Sequence, residues 1–157
     1  MKLLHTTILT AAIIGAVSVA GFADSHAEEP EAITVRHGMM QIIASNAGVV
    51  GGMARGTAEY DAAAAQEAAD NLAAVGMITT TLLFPEGSSS DDFESSRALP
   101  KIWEDRAGYD AAWAKFGEAA VALQAVASDG LDPLKAAMGE VGKTCGACHD
   151  AYRKPNS

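Results

Sequence analysis

The sequence is poor in cysteine, in aromatic residues and in positive charge, and each shortage excludes a class of protein. Two cysteines among 157 residues allow one disulfide at most, so the chain is not a small disulfide-stabilised scaffold. Lysine and arginine total 11 against 20 acidic residues, and the resulting net charge of −9 argues against binding to nucleic acid. Aromatic residues make up only 6%, but the hydrophobic fraction of 49% is large enough for a core and excludes a disordered chain.

Segments typical of β-strands are also missing, because no alternating run rich in Val, Ile, Tyr and Phe is bounded by turns. The five prolines instead separate stretches that can be helical, since proline is excluded from helix interiors. We predict four helices, namely Glu31 to about Ala54, Asp61 to about Leu83, about Asp105 to Asp129, and a last one capped by Asp132 with Pro133 at its first position. The Ser/Asp-rich stretch between Pro85 and Trp103 is predicted to be a long surface connection. The fold class that follows is all-α, an antiparallel four-helix bundle.

The first 23 residues have the layout of a secretory signal peptide, with Lys2 as the positive start and no Asp, Glu, Lys or Arg from Leu3 to Ala23. Cleavage after Ala23 and cleavage after Ala27 both fit the rule for small residues. An uncleaved membrane anchor is the alternative, and polar residues within the apolar stretch weaken it. We therefore expect a signal peptide at 1–23, a single domain at 24–157 that is not embedded in a membrane, and export to the periplasm of a Gram-negative bacterium.

The most specific motif is Cys145-Gly146-Ala147-Cys148-His149, a C-x-x-C-H sequence typical of covalent haem attachment. Residues three and four apart share one face of a helix, so the Cys145 and Cys148 sulfurs can reach two vinyl groups of one porphyrin. His149 can then bind the iron from the proximal side. A thioredoxin-like pair is disfavoured because no βαβ pattern surrounds it, and a structural zinc site because it needs four ligands. A disulfide between these cysteines is sterically awkward within a helix.

The residue on the other side of the iron determines what the haem does. A methionine ligand makes an electron carrier, whereas an apolar residue leaves the iron able to bind a small gas. Met40 is the leading candidate, and Met39 and His37 are the alternatives on the same helix. Arg36 lies one turn before Met40, so its guanidinium can pair with a haem propionate.

Together these elements resemble the class II c-type cytochromes, the family of cytochrome c′ and its low-spin relatives. The segment Val35-Arg36-His37-Gly38-Met39-Met40 is similar to the family's Arg-x-x-x-(Met/Leu/Phe) element, and the C-x-x-C-H segment is the most specific part. The resemblance implies a left-handed bundle with one covalently attached haem c held near the C-terminal helix. It also implies that Arg36 lies near a propionate, that Met40 faces the iron, and that a homodimer can form through helices 1 and 2.

Two functions follow from this interpretation. The leading hypothesis is a periplasmic mono-haem electron carrier with His149 and Met40 as axial ligands, whose acidic surface predicts a redox partner with a basic docking patch. The alternative is a five-coordinate haem that binds NO or CO for gas buffering or sensing. A peroxidase-like enzyme ranks last, because His37 is the only clear acid–base candidate on the distal side.

Overall fold

The computed structural model describes residues 29–155, and the predicted signal peptide lies outside this range. Five α-helices and one 3-10 turn form the described chain, whose only β character is an isolated bridge between Ala98 and Arg153. In chain order the helices are α1 (Glu31–Arg55), α2 (Ala62–Gly76), α3 (Lys101–Glu104), α4 (Arg106–Gln124) and α5 (Leu131–Tyr152), with the 3-10 turn at Thr81–Leu83. None of these helices is both long enough and apolar enough to cross a membrane.

The four long helices pack as a bundle in which α1 and α4 each contact α2 and α5. Short connections join α1 to α2 and α4 to α5, which makes each pair antiparallel. The Tyr60 hydroxyl before α2 donates to the Ala127 carbonyl beyond α4 and accepts from the Gly130 N–H, both at 3.0 Å. The start of α2 therefore lies beside the end of α4, so these helices are also antiparallel. The predicted all-α, antiparallel four-helix bundle is confirmed.

The interior contains two hydrophobic clusters. The larger fills the bundle between the four long helices and includes Leu72, Leu123, Leu134 and Val141, all fully buried. The smaller, which we call the aromatic cluster, consists of buried residues from the long connection, α3, α4 and the end of α5: Phe84, Ala98, Ile102, Tyr109 and Tyr152. The clusters meet along the last helix, and this boundary is where the sequence places its most specific motif.

Three predicted helix boundaries were wrong, and two of them are the end of the second helix and the start of the last. The second helix ends at Gly76 rather than near Leu83, and the Ile78 carbonyl, which a continued helix would use, accepts instead from the Trp113 indole at 2.9 Å. The last helix is capped by Gly130, not Asp132. Gly130 has a φ of 126°, a conformation that glycine tolerates and most residues do not.

The third predicted helix corresponds to α4. The carboxylate of Asp105 accepts from the Gly108 N–H at 3.1 Å, which confirms this residue as the start of α4. The helix ends at Gln124, before the expected Asp129, and residues 125–129 turn toward α5. A single extra turn, α3, precedes Asp105 and carries Trp103 beside the aromatic cluster.

Candidate haem site

Cys145 and Cys148 lie on one face of α5, where both side chains are half-buried. Cys145 packs against the larger cluster and Cys148 against the aromatic cluster, so the two thiols lie where the clusters meet. Both are free thiols, and burial raises the pKa of each. They are therefore protonated at neutral pH and are held one helical turn apart, as two thioether bonds to one porphyrin require.

His149 follows Cys148 directly and is also half-buried. Burial lowers the pKa of its imidazole, the positive charge of Arg153 lowers it further, and Asp150 partly opposes them. The imidazole is therefore neutral near pH 7, the state in which a ring nitrogen can bind a metal. Residues 29–155 contain no group of three or more His, Cys, Asp or Glu that could hold a metal ion.

The candidate distal residues, which all lie on α1, are buried to different extents. Met39 is buried within the larger cluster, whereas Met40 is half-buried and packs against its edge, as Cys145 does from α5. His37 is half-buried. Since α1 and α5 are neighbours in the bundle, the structure brings Met40 and the haem-attachment motif to the border of one cluster.

Arg36 is almost completely buried, with a relative exposure of 3%. Its Nη1 donates to the Leu83 carbonyl at 3.1 Å and to the Ser88 hydroxyl at 2.9 Å. Its Nη2 donates to the Ser88 carbonyl and to the Ser96 hydroxyl, the latter at 2.7 Å. The guanidinium carbon also lies 5.1 Å from the centre of the Phe84 ring. All four Nη hydrogens are thus directed at the 3-10 turn and the long connection that follows it. Only the Nε–H takes no part in these bonds.

The same contacts correct one prediction about the long connection. We expected this Ser/Asp-rich stretch to lie on the surface, but Ser88 and Ser96 are fully buried and Ser89 nearly so. The Ser88 hydroxyl donates to the Pro85 carbonyl at 2.7 Å, and that of Ser96 donates to the Ser88 carbonyl at 2.9 Å. Buried polar groups are tolerated where they are hydrogen-bonded, and the buried guanidinium and neighbouring carbonyls supply the partners here.

The site also contains two buried polar groups, the Arg36 guanidinium and the Tyr109 hydroxyl, that lack a full set of partners in the described chain. Among residues 29–155, no carboxylate forms a salt bridge with Arg36, and burial lowers the pKa of its guanidinium. The Tyr109 hydroxyl is buried and makes no hydrogen bond of normal geometry. Burial raises the pKa of this phenol, an effect that the Thr80 hydroxyl partly offsets. A buried cation without a salt bridge, whose pKa only the charges of Tyr109 and Glu29 raise, and a donor in the cluster that Cys148 borders fit a cofactor that carries carboxylates, as haem does.

A groove of about 760 Å³ runs between α4 and α5. On α5 it is lined by Glu140, Lys143, Thr144, Ala147 and Tyr152, and not by the cysteines. Tyr152 belongs to the aromatic cluster, so the groove borders this cluster without reaching the two thiols. The chemistry of the side chains, and not the size of a cavity, therefore identifies the candidate site.

An antiparallel four-helix bundle whose last helix carries a C-x-x-C-H motif defines a class II c-type cytochrome. The family model described as Cytochrome C′ matches residues 31–153. The chain therefore belongs to the cytochrome c′ family. Proteins of this family bind one covalently attached haem c and serve in electron transfer or gas binding rather than as enzymes.

Individual relatives agree with this assignment. The chain is 41% identical over 119 residues to a cytochrome c-554 of Cereibacter sphaeroides, which covers 76% of this chain and 78% of that protein. A solved cytochrome c′ from Rhodobacter "Spheriodes" superposes with a TM-score of 0.80 at 35% identity, covering 83% of this chain and all of the other. A nitric oxide complex of a cytochrome c prime variant from Alcaligenes xylosoxidans superposes with a TM-score of 0.71 at 33% identity, covering 83% and 98% of the two chains.

The hydrogen bonds of Arg36 predict the effect of its replacement by lysine. A single ammonium cannot reproduce the planar fork, so Arg36→Lys is expected to leave two or more buried acceptors unpaired. The free energy of unfolding of the holoprotein should fall by about 2–4 kcal/mol, measured by urea denaturation. Arg55→Lys, at the exposed end of α1, is the matched control and should change it by less than about 0.5 kcal/mol. Equal effects of the two variants would contradict the anchoring role.

Proposed function

We propose that this protein is a mono-haem electron carrier, with the haem attached through Cys145 and Cys148 and with His149 as the proximal ligand of the iron. The observation that carries the proposal is the C-x-x-C-H motif at the boundary of the two clusters, in a bundle of the cytochrome c′ family. The haem supplies the one-electron chemistry by cycling between Fe(III) and Fe(II). The residues of the chain hold the ring in place, orient the imidazole and exclude water.

The attachment is tested by replacing both cysteines. The variant Cys145→Ser/Cys148→Ser should have the mass of the bare polypeptide after purification under denaturing conditions, because neither serine can form a thioether. The unmodified protein, made in cells with an intact haem-attachment system, should carry the added mass of one haem. Ala147→Ser changes the same motif without removing a thiol and should keep the haem. Covalent haem on the double variant would contradict the assignment.

We further propose Met40 as the distal ligand of the iron and Arg36 as the residue near a propionate. Met40 is half-buried at the edge of the cluster that Cys145 also borders, whereas Met39 is already enclosed within this cluster. Arg36 lies one turn before Met40 and has a buried charge without a carboxylate partner in the described chain. A thioether ligand favours the reduced iron and leaves no open coordination position, as suits a carrier of electrons.

The Met40 assignment predicts the spectrum of one variant. The oxidised protein should show the near-infrared band of methionine bound to iron, and Met40→Ala should abolish it. The control is Met77→Ala, which removes a methionine that is 79% exposed at the end of α2 and should preserve the band. If the band survives in Met40→Ala, the ligand is Met39 or another residue. If the unmodified protein is high-spin and binds CO promptly when reduced, the iron is five-coordinate.

Gas binding is the second candidate function, and the relatives favour it as much as electron transfer. The Alcaligenes xylosoxidans structure that resembles this chain is a nitric oxide complex. In this alternative Met40 lines a distal pocket without binding the iron, and the protein buffers or senses NO or CO. The experiment with CO on the reduced, unmodified protein separates the two functions.

We infer export to the periplasm and a mature domain at 24–157, on the strength of the signal-like sequence at 1–23 and the family. These first residues lie outside the described part of the chain. Sequencing the N-terminus of the purified protein distinguishes cleavage after Ala23 from cleavage after Ala27.

The proposed redox partner has a basic docking patch. The net charge of −9 attracts such a partner, and opposite charges accelerate encounter in a way that salt weakens. One acidic part of the surface is a hollow of about 250 Å³ where Trp103 is surrounded by Glu86, Asp92 and Glu104. Trp103 packs against the aromatic cluster, as Cys148 does, so a partner that docks there approaches the proposed haem through this cluster.

Proteins of this family are often dimers, and α1 offers a surface for a homodimer. Val35, Ile42 and Val49 follow one another at intervals of seven and are 41–52% exposed, which places an apolar stripe on the outer face of α1. We propose that a second copy of the chain covers this stripe, in keeping with a dimer through helices 1 and 2.

Ile42→Lys should disrupt this dimer, because it places a charge at the centre of the stripe. Sedimentation velocity at several protein concentrations should show a dimer for the unmodified protein and a monomer for the variant. Leu82→Lys is the control, since Leu82 is 88% exposed and lies outside α1. Dimers of equal stability in both variants would contradict the proposed surface.

A further inference from the structure

Tyr109 on α4 has a buried hydroxyl that makes no hydrogen bond of normal geometry with the described residues, although the Thr80 hydroxyl lies close enough to lower the pKa of the phenol. Its side chain is only 3% exposed, and its ring makes edge-to-face contacts with Phe84 and Tyr152 at centroid distances of 4.9 and 5.6 Å. A phenylalanine at this position would pack equally well, because it has the same ring without the hydroxyl. Since Thr80 does not satisfy it with normal geometry and a buried hydroxyl without a good partner is costly, this hydroxyl is available to an acceptor that is not part of the polypeptide.

The surroundings of Tyr109 indicate which acceptor this is. Cys148, one of the two proposed attachment residues, packs against the same aromatic cluster. The Arg36 guanidinium lies above the Phe84 ring, and that ring touches Tyr109 directly. The unpaired hydroxyl therefore belongs to the same region as one haem attachment point and one buried positive charge.

The hydrogen bonds of Arg36 leave a role for a second donor. Its four Nη hydrogens are already directed at Leu83, Ser88 and Ser96, so it offers a carboxylate mainly its charge and its Nε–H. A carboxylate oxygen also needs hydrogen-bond donors when it is buried. The phenol of Tyr109 is such a donor, because its buried environment favours the protonated form.

We propose that the Tyr109 hydroxyl donates a hydrogen bond to a haem propionate whose negative charge Arg36 offsets. The inference rests on the proposed attachment of haem at Cys145 and Cys148. It assigns the two residues different tasks: Arg36 provides charge while anchoring the long connection, and Tyr109 provides the directional donor. One ligand group, the propionate, then accounts for both the buried charge of Arg36 and the hydroxyl of Tyr109.

Tyr109→Phe tests this proposal in the holoprotein, because it removes the hydroxyl and retains the ring. Intact mass first establishes that one haem is attached. The vibrational band of the propionates, recorded by resonance Raman spectroscopy, should shift. The reduction potential should fall, because the negative charge of an ionised propionate is less offset without the donor and favours Fe(III).

Tyr60→Phe is the matched control for this experiment. It removes a tyrosine hydroxyl that makes two hydrogen bonds at the opposite end of α4, so it should lower stability without moving the propionate band or the potential. A fully haem-loaded Tyr109→Phe protein with an unchanged band and potential would overturn the inference while leaving the proposed function intact. A changed affinity for CO with an unchanged propionate band would overturn it too, because the hydroxyl would then face the iron. An unmodified protein without covalent haem would refute the proposed function itself.

Discussion

The burial of one positive charge, that of Arg36, organises the end of the bundle where the haem is proposed to lie. Removing a guanidinium from water is costly, and here neutral groups compensate: two carbonyls, two serine hydroxyls and the face of Phe84. These partners come from residues 83–96, far from Arg36 in sequence. A segment that is too polar to form a core by itself therefore becomes part of the interior.

The segment that Arg36 anchors is in turn bonded to the end of α5. The Leu99 N–H donates to the Tyr152 carbonyl at 3.0 Å, and the Lys154 N–H donates to the Arg97 carbonyl at 2.8 Å. The Tyr152 hydroxyl donates to Asp105 at the start of α4, also at 3.0 Å. Hydrogen bonds thus run from α1 through the long connection to the helix that carries the cysteines. Such a framework suits a redox site, because a rigid surrounding keeps reorganisation small when the charge of the iron changes.

The parts of the structure that sequence reasoning predicted are those set by local interactions. Proline positions and the three-to-four residue spacing of apolar side chains predict the bundle, and the C-x-x-C-H motif is contiguous, so its placement on one helical face needs no tertiary information. The end of α2 depends on a bond between Ile78 and Trp113, which are 35 residues apart. The burial of Ser88 and Ser96 depends on Arg36, 52 and 60 residues away.

Tyr109 shows a second limit of prediction from the sequence. Its place on the buried face of the third predicted helix follows from the spacing of apolar residues. A buried tyrosine on such a face is interpreted as an ordinary core residue. Only the three-dimensional structure shows that its hydroxyl makes no hydrogen bond of normal geometry with residues 29–155, because this property depends on every element packed around it. A sequence can therefore indicate which residues are buried more readily than which buried polar atoms remain unsatisfied.

The two candidate functions differ by one bond, and α1 controls whether it forms. For Met40 to bind the iron, α1 must present this residue at a fixed height and rotation relative to α5. Arg36 lies one turn earlier on the same face, and its bonds to the long connection restrict both movements. An anchored α1 reduces the conformational entropy lost when a thioether binds iron, whereas a loosely held helix would leave the position open to a gas. The four hydrogen bonds of Arg36 therefore supply the fixed α1 that our proposal of Met40 as the distal ligand requires.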